Sequence, residues 1–262
     1  MESERVVLNA FWRERPISAG EYIATCRTFL AALPSVSSVF ADRCIVIGNR
    51  PVILPSDEAS FQKVMLSALA EEDYAFENPD PSNHELTTDS RLSQGFSFAF
   101  SDPDPHATEQ TAASILVKAG AYGGVYSPTN SVTIKIPPTY RSLWEDREKA
   151  RQLMFAVLEH WKPEFAMITS YELRRALDPK RVNDFSVGPL TYFADENAAR
   201  IAKGKASVET TSGGGTLLSI DAPPPWANAL DRFKDAYAAL DKAGFLNWRS
   251  KHPVESGVDK SR

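Results

Sequence analysis

The chain has 262 residues, 43% of them hydrophobic and 24% charged, the proportions of an ordinary folded protein. No run of 18 or more apolar residues occurs, which argues against a membrane-spanning helix. The net charge of −5, with a pI near 5.5, argues against a general basic surface for nucleic acid.

Met1-Glu2-Ser3-Glu4-Arg5 leads into no apolar stretch with a small-residue cleavage site, so export by a cleaved signal is not expected. Residues 6–12, Val-Val-Leu-Asn-Ala-Phe-Trp, are β-branched and aromatic and predict a first strand. Ser18 then stands three residues before Glu21, the capping-box spacing, with Ile17 and Tyr22 placed as a hydrophobic staple. Tyr22, Cys26, Phe29, Leu30 and Leu33 share one helical face up to Pro34.

Two short strands, 44–47 and 52–54, flank Gly48-Asn49-Arg50-Pro51 as a hairpin. Ser56 or Asp57 caps a second helix whose apolar stripe is Phe61, Val64, Met65, Ala68 and Leu69. Residues 71–93, rich in Asp, Glu, Asn, Pro and Ser, read as an exposed loop. Alternation at Phe96, Phe98 and Phe100, then at Ile115, Val117, Ala119 and Ala121, then at Val132, Ile134 and Ile136, predicts three strands in an antiparallel meander.

One helix is expected over 143–161, followed by a strand at 165–169, a short helix at 171–177, a strand at 190–193 and a short helix at 196–202. A hairpin at 208–220 turns over Ser212-Gly213-Gly214-Gly215. A last helix presents Leu230, Phe233, Tyr237 and Leu240 inward and stops at Gly244. Strands and helices mix without strict βα alternation, so the expected class is α+β: a mixed, largely antiparallel β-sheet packed with amphipathic helices. One domain is expected over 1–249, with 250–262 as a frayed tail.

Marks of catalysis are absent: the sequence contains no CxxC, HExxH, GxSxG or GxxxxGK[ST]. His84, His106, His160 and His252 are scattered, and Pro103 and Pro105 make Asp102, Asp104 and His106 read as solvated loop before they read as a metal cluster. The glycines at 213–215 precede a strand, where a hairpin turn explains them better than a phosphate cradle. Asp178-Pro179-Lys180 has the acid-x-lysine spacing of some nucleases, but its proline speaks for a turn. Trp226 and Trp248 flank the last helix and fit packing across its ends. Cys26 and Cys44 read as small buried hydrophobes in a reducing cytoplasm, and no cofactor or metal is expected.

Charge is the unusual feature. Between Glu71 and Glu109 ten acids face one base, Arg91. The bland reading of such a run is a solvated loop; the functional one is a surface that attracts a basic partner.

Residues 8–16, Leu-Asn-Ala-Phe-Trp-Arg-Glu-Arg-Pro, with the helix after Ser18, and later Gly188-Pro189-Leu190-Thr191-Tyr192-Phe193, Gly213-Gly214-Gly215-Thr216-Leu217-Leu218-Ser219-Ile220 and Ala243-Gly244-Phe245-Leu246, resemble the immunity protein 52 family of bacterial toxin–immunity systems. The chain departs from that pattern near Pro189, where the family favours an aromatic residue. The resemblance implies a cytoplasmic, non-enzymatic protein that neutralises a cognate toxin, typically a nuclease of restriction-endonuclease fold delivered between bacteria, as by a type VI secretion system. It supplies no catalytic residues. The expected toxin-binding residues therefore come from the acidic segment alone: Glu71, Glu72, Asp73, Glu77, Asp80, Glu85, Asp89, Asp102 and Asp104. The alternative is a metal-dependent hydrolase using Asp104 or His106.

Overall fold

A strand with Val6, Leu8, Ala10 and Trp12 on one face and Val7 and Phe11 on the other has apolar surface to bury on both sides, so it belongs in the middle of a sheet. That is where β1 (Val6–Trp12) lies in the computed structural model, which describes residues 4–47, 50–71, 86–104, 111–122, 130–181 and 185–247. It pairs antiparallel with β6 (Asn130–Ile136) on one edge, Leu8 opposite Ile134, and with β7 (Phe165–Ser170) on the other, Leu8 opposite Ile168.

The remaining strands are β2 (Cys44–Ile47), β3 (Arg50–Ile53), β4 (Phe96–Phe100), β5 (Ser114–Ala119), β8 (Leu190–Phe193), β9 (Ser207–Thr210) and β10 (Thr216–Ser219). Eight strands form one antiparallel sheet in the order β4-β5-β6-β1-β7-β8-β10-β9, and β2 and β3 form a separate hairpin. The expected meander is its β4-β5-β6 end. The α+β expectation holds, and one cluster of buried side chains runs from Val6 to Leu246.

Helices α1 (Ala19–Ala32) and α2 (Glu58–Leu69) pack together, and α1 also packs on α4 (Arg147–Trp161). They cover the sheet face bearing Trp12 and Phe96. Trp161 stacks on Trp12 at 5.8 Å between ring centroids, Tyr22 lies 5.5 Å from Phe96, and the Tyr22 hydroxyl donates to the Val117 carbonyl at 3.1 Å. On the opposite face Phe11, Phe165, Phe185, Phe193 and Phe245 form an aromatic cluster, the closest pair being Phe165 and Phe185 at 4.2 Å. There α6 (Asn197–Ala202) lies against β9 and β10, and α7 (Asp231–Lys242) packs on α6.

Local signals act as their chemistry dictates. Glu21 N–H donates to Ser18 Oγ at 3.2 Å while Ser18 N–H donates to Glu21 Oε2 at 2.7 Å, completing the capping box of α1. Of the two candidates for α2, Asp57 is the cap, accepting from Ser60 N–H at 2.9 Å. Gly244, at φ +78°, ends α7: its N–H reaches the Asp241 carbonyl and that of Phe245 the Leu240 carbonyl, a Schellman motif.

Three expectations are corrected. The helix expected over 143–161 is two, α3 (Ser142–Glu145) and α4, because Asp146 leaves helical geometry (φ −83°, ψ 103°) and accepts from the N–H groups of Glu148 and Lys149. β5 stops at Ala119 because Gly120 takes φ +91°, so Ala121 lies outside the strand. Residues 86–93 are not a free loop. Leu86 and Leu92 are buried, and the Thr88 and Ser90 carbonyls accept from Gly20 and Ala19 N–H, satisfying donors that the first turn of α1 leaves open. The expected tail, 250–262, lies outside the described residues.

The Glu4 side-chain carboxylate, just ahead of β1, ties the end of β7 to the segment before α7. Glu4 accepts from Ser170 Oγ at 2.5 Å and from the N–H groups of Trp226 and Ala227 at 2.8 and 3.3 Å. Ser170 Oγ in turn accepts from Leu173 N–H at 3.0 Å and caps α5 (Tyr171–Leu177). Trp226, buried at 1% exposure, thereby anchors the segment before α7.

Close packing across the β7–β8 junction also makes a prediction. A Cβ on Gly188 would sit 1.8 Å from the Ile168 carbonyl oxygen, whereas one on Gly213 would meet nothing within 4 Å. Gly188→Ala should therefore cost about 3 kcal/mol or more, while Gly213→Ala should stay within about 0.5 kcal/mol, as read by urea unfolding.

Candidate interaction surface

The acidic segment divides between described and undescribed residues. Glu72, Asp73, Glu77, Asp80 and Glu85 lie outside the described residues, as do His84, His106 and Glu109. Glu71, beyond the end of α2, Asp89, in the segment docked on α1, and Asp104, after β4, are all exposed. Asp102 is half-buried and turned toward Arg43, 3.9 Å away, while its Oδ1 accepts from Asp104 N–H at 3.0 Å.

Arg43 explains much of this corner. Sequence reading gave it no role, because a lone arginine before a strand ordinarily reads as surface. It is 5% exposed. Its guanidinium donates to the carbonyls of Ala113 at 2.9 Å, Ala41 at 3.1 Å and Val39, and Asp102 balances its charge. Burial pulls the Arg43 pKa down and the nearby Asp102 carboxylate opposes that shift. The guanidinium thus gathers three carbonyls from two separate stretches, 39–41 and Ala113, that no strand partner satisfies.

The same corner carries the β2–β3 hairpin. Cys44 and Ser101 exchange two backbone hydrogen bonds of 3.0 Å, so β2 continues the open edge of β4. The hairpin register sets Cys44 opposite Ile53 and Val46 opposite Pro51, which puts these four side chains on one face. Cys44 is buried at the base, but Val46 is 48% and Ile53 65% exposed. The other face, with Ile45, Ile47 and Val52, packs against the core. Exposed Asp42 precedes Arg43, whose carbonyl accepts from Leu54 N–H, and exposed Asp57 follows. Asp102 and Asp104 continue from Ser101. The apolar face therefore has carboxylates near one end only, where Cys44 pairs with Ile53.

A concavity of about 520 Å³ lies beside α2, lined by Gln62, Lys63, Leu66 and Leu86 among others, and two more lie elsewhere. One, of about 480 Å³, is walled by Trp144, Ile168, Leu190, Ile220 and Trp226, and its lining contains no Ser, Cys or His. The other, of about 400 Å³, includes Arg15, Glu21 and His160. Each of those three already has a local partner: Arg15 donates to the Trp161 carbonyl at 2.5 Å, Glu21 completes the α1 cap, and His160 Nδ1 lies 2.8 Å from the Ala156 carbonyl. Among the described residues no group of three or more His, Cys, Asp and Glu side chains is placed to hold a metal ion, and no helix is long and apolar enough to cross a membrane. Asp178 Oδ1 accepts from Lys180 N–H at 3.0 Å, the turn expected there, and Gly214 at φ +84° makes the β9–β10 hairpin turn. Cys26 and Cys44 are free and buried, and burial pushes the Cys26 thiol up.

Replacing Arg43 with Met would strand the Ala113 and Val39 carbonyls and leave Asp102 without its counter-charge, so Arg43→Met is expected to cost about 3 kcal/mol. Asp104→Lys, on the surface, should change stability by no more than about 0.5 kcal/mol. Thermal unfolding of the two variants beside the parent checks both.

No family model matches this chain, and no curated protein matches it. Among solved structures it is similar to "Pseudomonas aeruginosa T6SS protein PA0821", with a TM-score of 0.50 at 10% identity, over 89% of this chain and 73% of that one. At that identity the likeness is one of fold.

Proposed function

We propose that this chain is an immunity protein of the immunity protein 52 type, which binds and neutralises a cognate toxin in the cytoplasm by association, without catalysis. The toxin is a basic nuclease of restriction-endonuclease fold, delivered by a type VI secretion system. The observation that carries the reading is the acidic segment between Glu71 and Glu109: Glu71, Asp89 and Asp104 stand exposed in it and Arg91 is its single base. Carboxylates so placed accelerate encounter with a cationic surface and discourage wrong partners. The fold shared with a protein described as belonging to a T6SS supports the setting.

The test is purification of the chain together with the product of the gene beside its own. A 1:1 complex is expected, with an association rate that falls as salt rises. Changing Glu71, Asp89 and Asp104 together to Lys should slow association roughly tenfold or more. Should no complex form at low salt, or should the chain itself turn over a substrate that the neighbour does not, the proposal fails.

A further inference from the structure

We infer that the apolar face of the β2–β3 hairpin, Val46, Pro51 and Ile53, is the anchor of the toxin contact, and that it receives an apolar patch with lysine or arginine beside it on the toxin. This rests on the reading above and goes beyond the acidic residues, which alone mark an approach route.

The argument begins with desolvation. Rim charges mostly set encounter rates, whereas affinity concentrates in a few central apolar side chains that lose all contact with water. Among the described residues five large hydrophobic side chains are markedly exposed, and two of them, Val46 and Ile53, share this one hairpin face. The hairpin is fastened at its base. β2 is bonded at its base to the end of β4, Ile45 beneath is fully buried, and Leu54 N–H is held by the Arg43 carbonyl. A pre-ordered apolar face loses little conformational entropy on binding.

Charge selects the occupant. Exposed Asp42, Asp57 and Asp104 come close in sequence to the Cys44–Ile53 end of the hairpin, while Asp102 there is paired with buried Arg43. Arg50, at the hairpin's far end, is the exposed base of the hairpin strands. A second copy of this chain would bring two such acidic ends together about a two-fold axis, which like charge disfavours. An anionic lipid surface meets the same repulsion. A basic protein face is complementary.

The experiment uses the full chain and, as probe, the purified product of the adjacent gene. Val46→Glu with Ile53→Glu should weaken that complex at least thirtyfold, mainly through faster dissociation, with the melting temperature of the free chain unchanged. Val208→Glu, on the edge strand β9 at 39% exposure, is the control and should bind as the parent does. Parent-like affinity in the hairpin double variant overturns the inference while leaving the immunity reading intact. Absence of any complex with the parent overturns both. A parent chain that sediments alone as a dimer and becomes monomeric on the hairpin substitutions identifies a second copy as the occupant and also overturns the inference.

Discussion

The fold depends on one strand finding partners far along the chain. β1 lies at the centre of the sheet, yet Leu8 must wait for Ile134 on one side and Ile168 on the other. Neither half of the sheet can close without it. Such long-range pairing is slow to form and, once formed, ties the packing of α1, α2 and α4 to that of the C-terminal helices. The Glu4 carboxylate, a residue before this strand's approach, reaches Ser170, Trp226 and Ala227 and so tightens the same join.

That arrangement leaves two sheet edges, β4 and β9, and treats them differently. At β9 the side chains are exposed and Glu209 forms a two-pronged pair with Arg151 at 2.5 and 2.8 Å. At β4 the chain adds a hairpin, and Arg43 sits under it as a buried cation serving carbonyls. Sequestering a base while leaving Asp42, Asp57 and Asp104 outside makes the local surface more acidic than composition alone conveys. Structural and functional charge are thus separated by burial: a cation holds the corner together, and the anions face outward.

Most of the fold was legible because its signals are local. The Ser18–Glu21 spacing, the alternating phenylalanines of β4 and the Gly244 stop each follow from backbone chemistry within a few residues. The errors share a cause as well. Asp146 interrupts a helix whose apolar spacing continues straight through, and periodicity cannot register a cap in mid-pattern. Residues 86–93 have loop composition, yet Leu86 and Leu92 bury themselves and the backbone caps α1, contacts that depend on tertiary placement. Asp102 and Asp104 could be found by counting acids, whereas Asp42 and Asp57 lie outside the acidic segment and could not. Arg43 and the exposure of Ile53 could not, since a β-branched residue in a strand ordinarily reads as core, and only the sheet order shows which hairpin face is left uncovered.

If the chain protects its own cell from a delivered toxin, the direct measurement is competition between sister strains. Cells lacking this gene should be eliminated by parental neighbours in contact, and should survive when the neighbours' secretion system or the adjacent gene is inactivated. Equal survival of the deleted strain beside a parent that demonstrably delivers the adjacent gene's product would contradict the account.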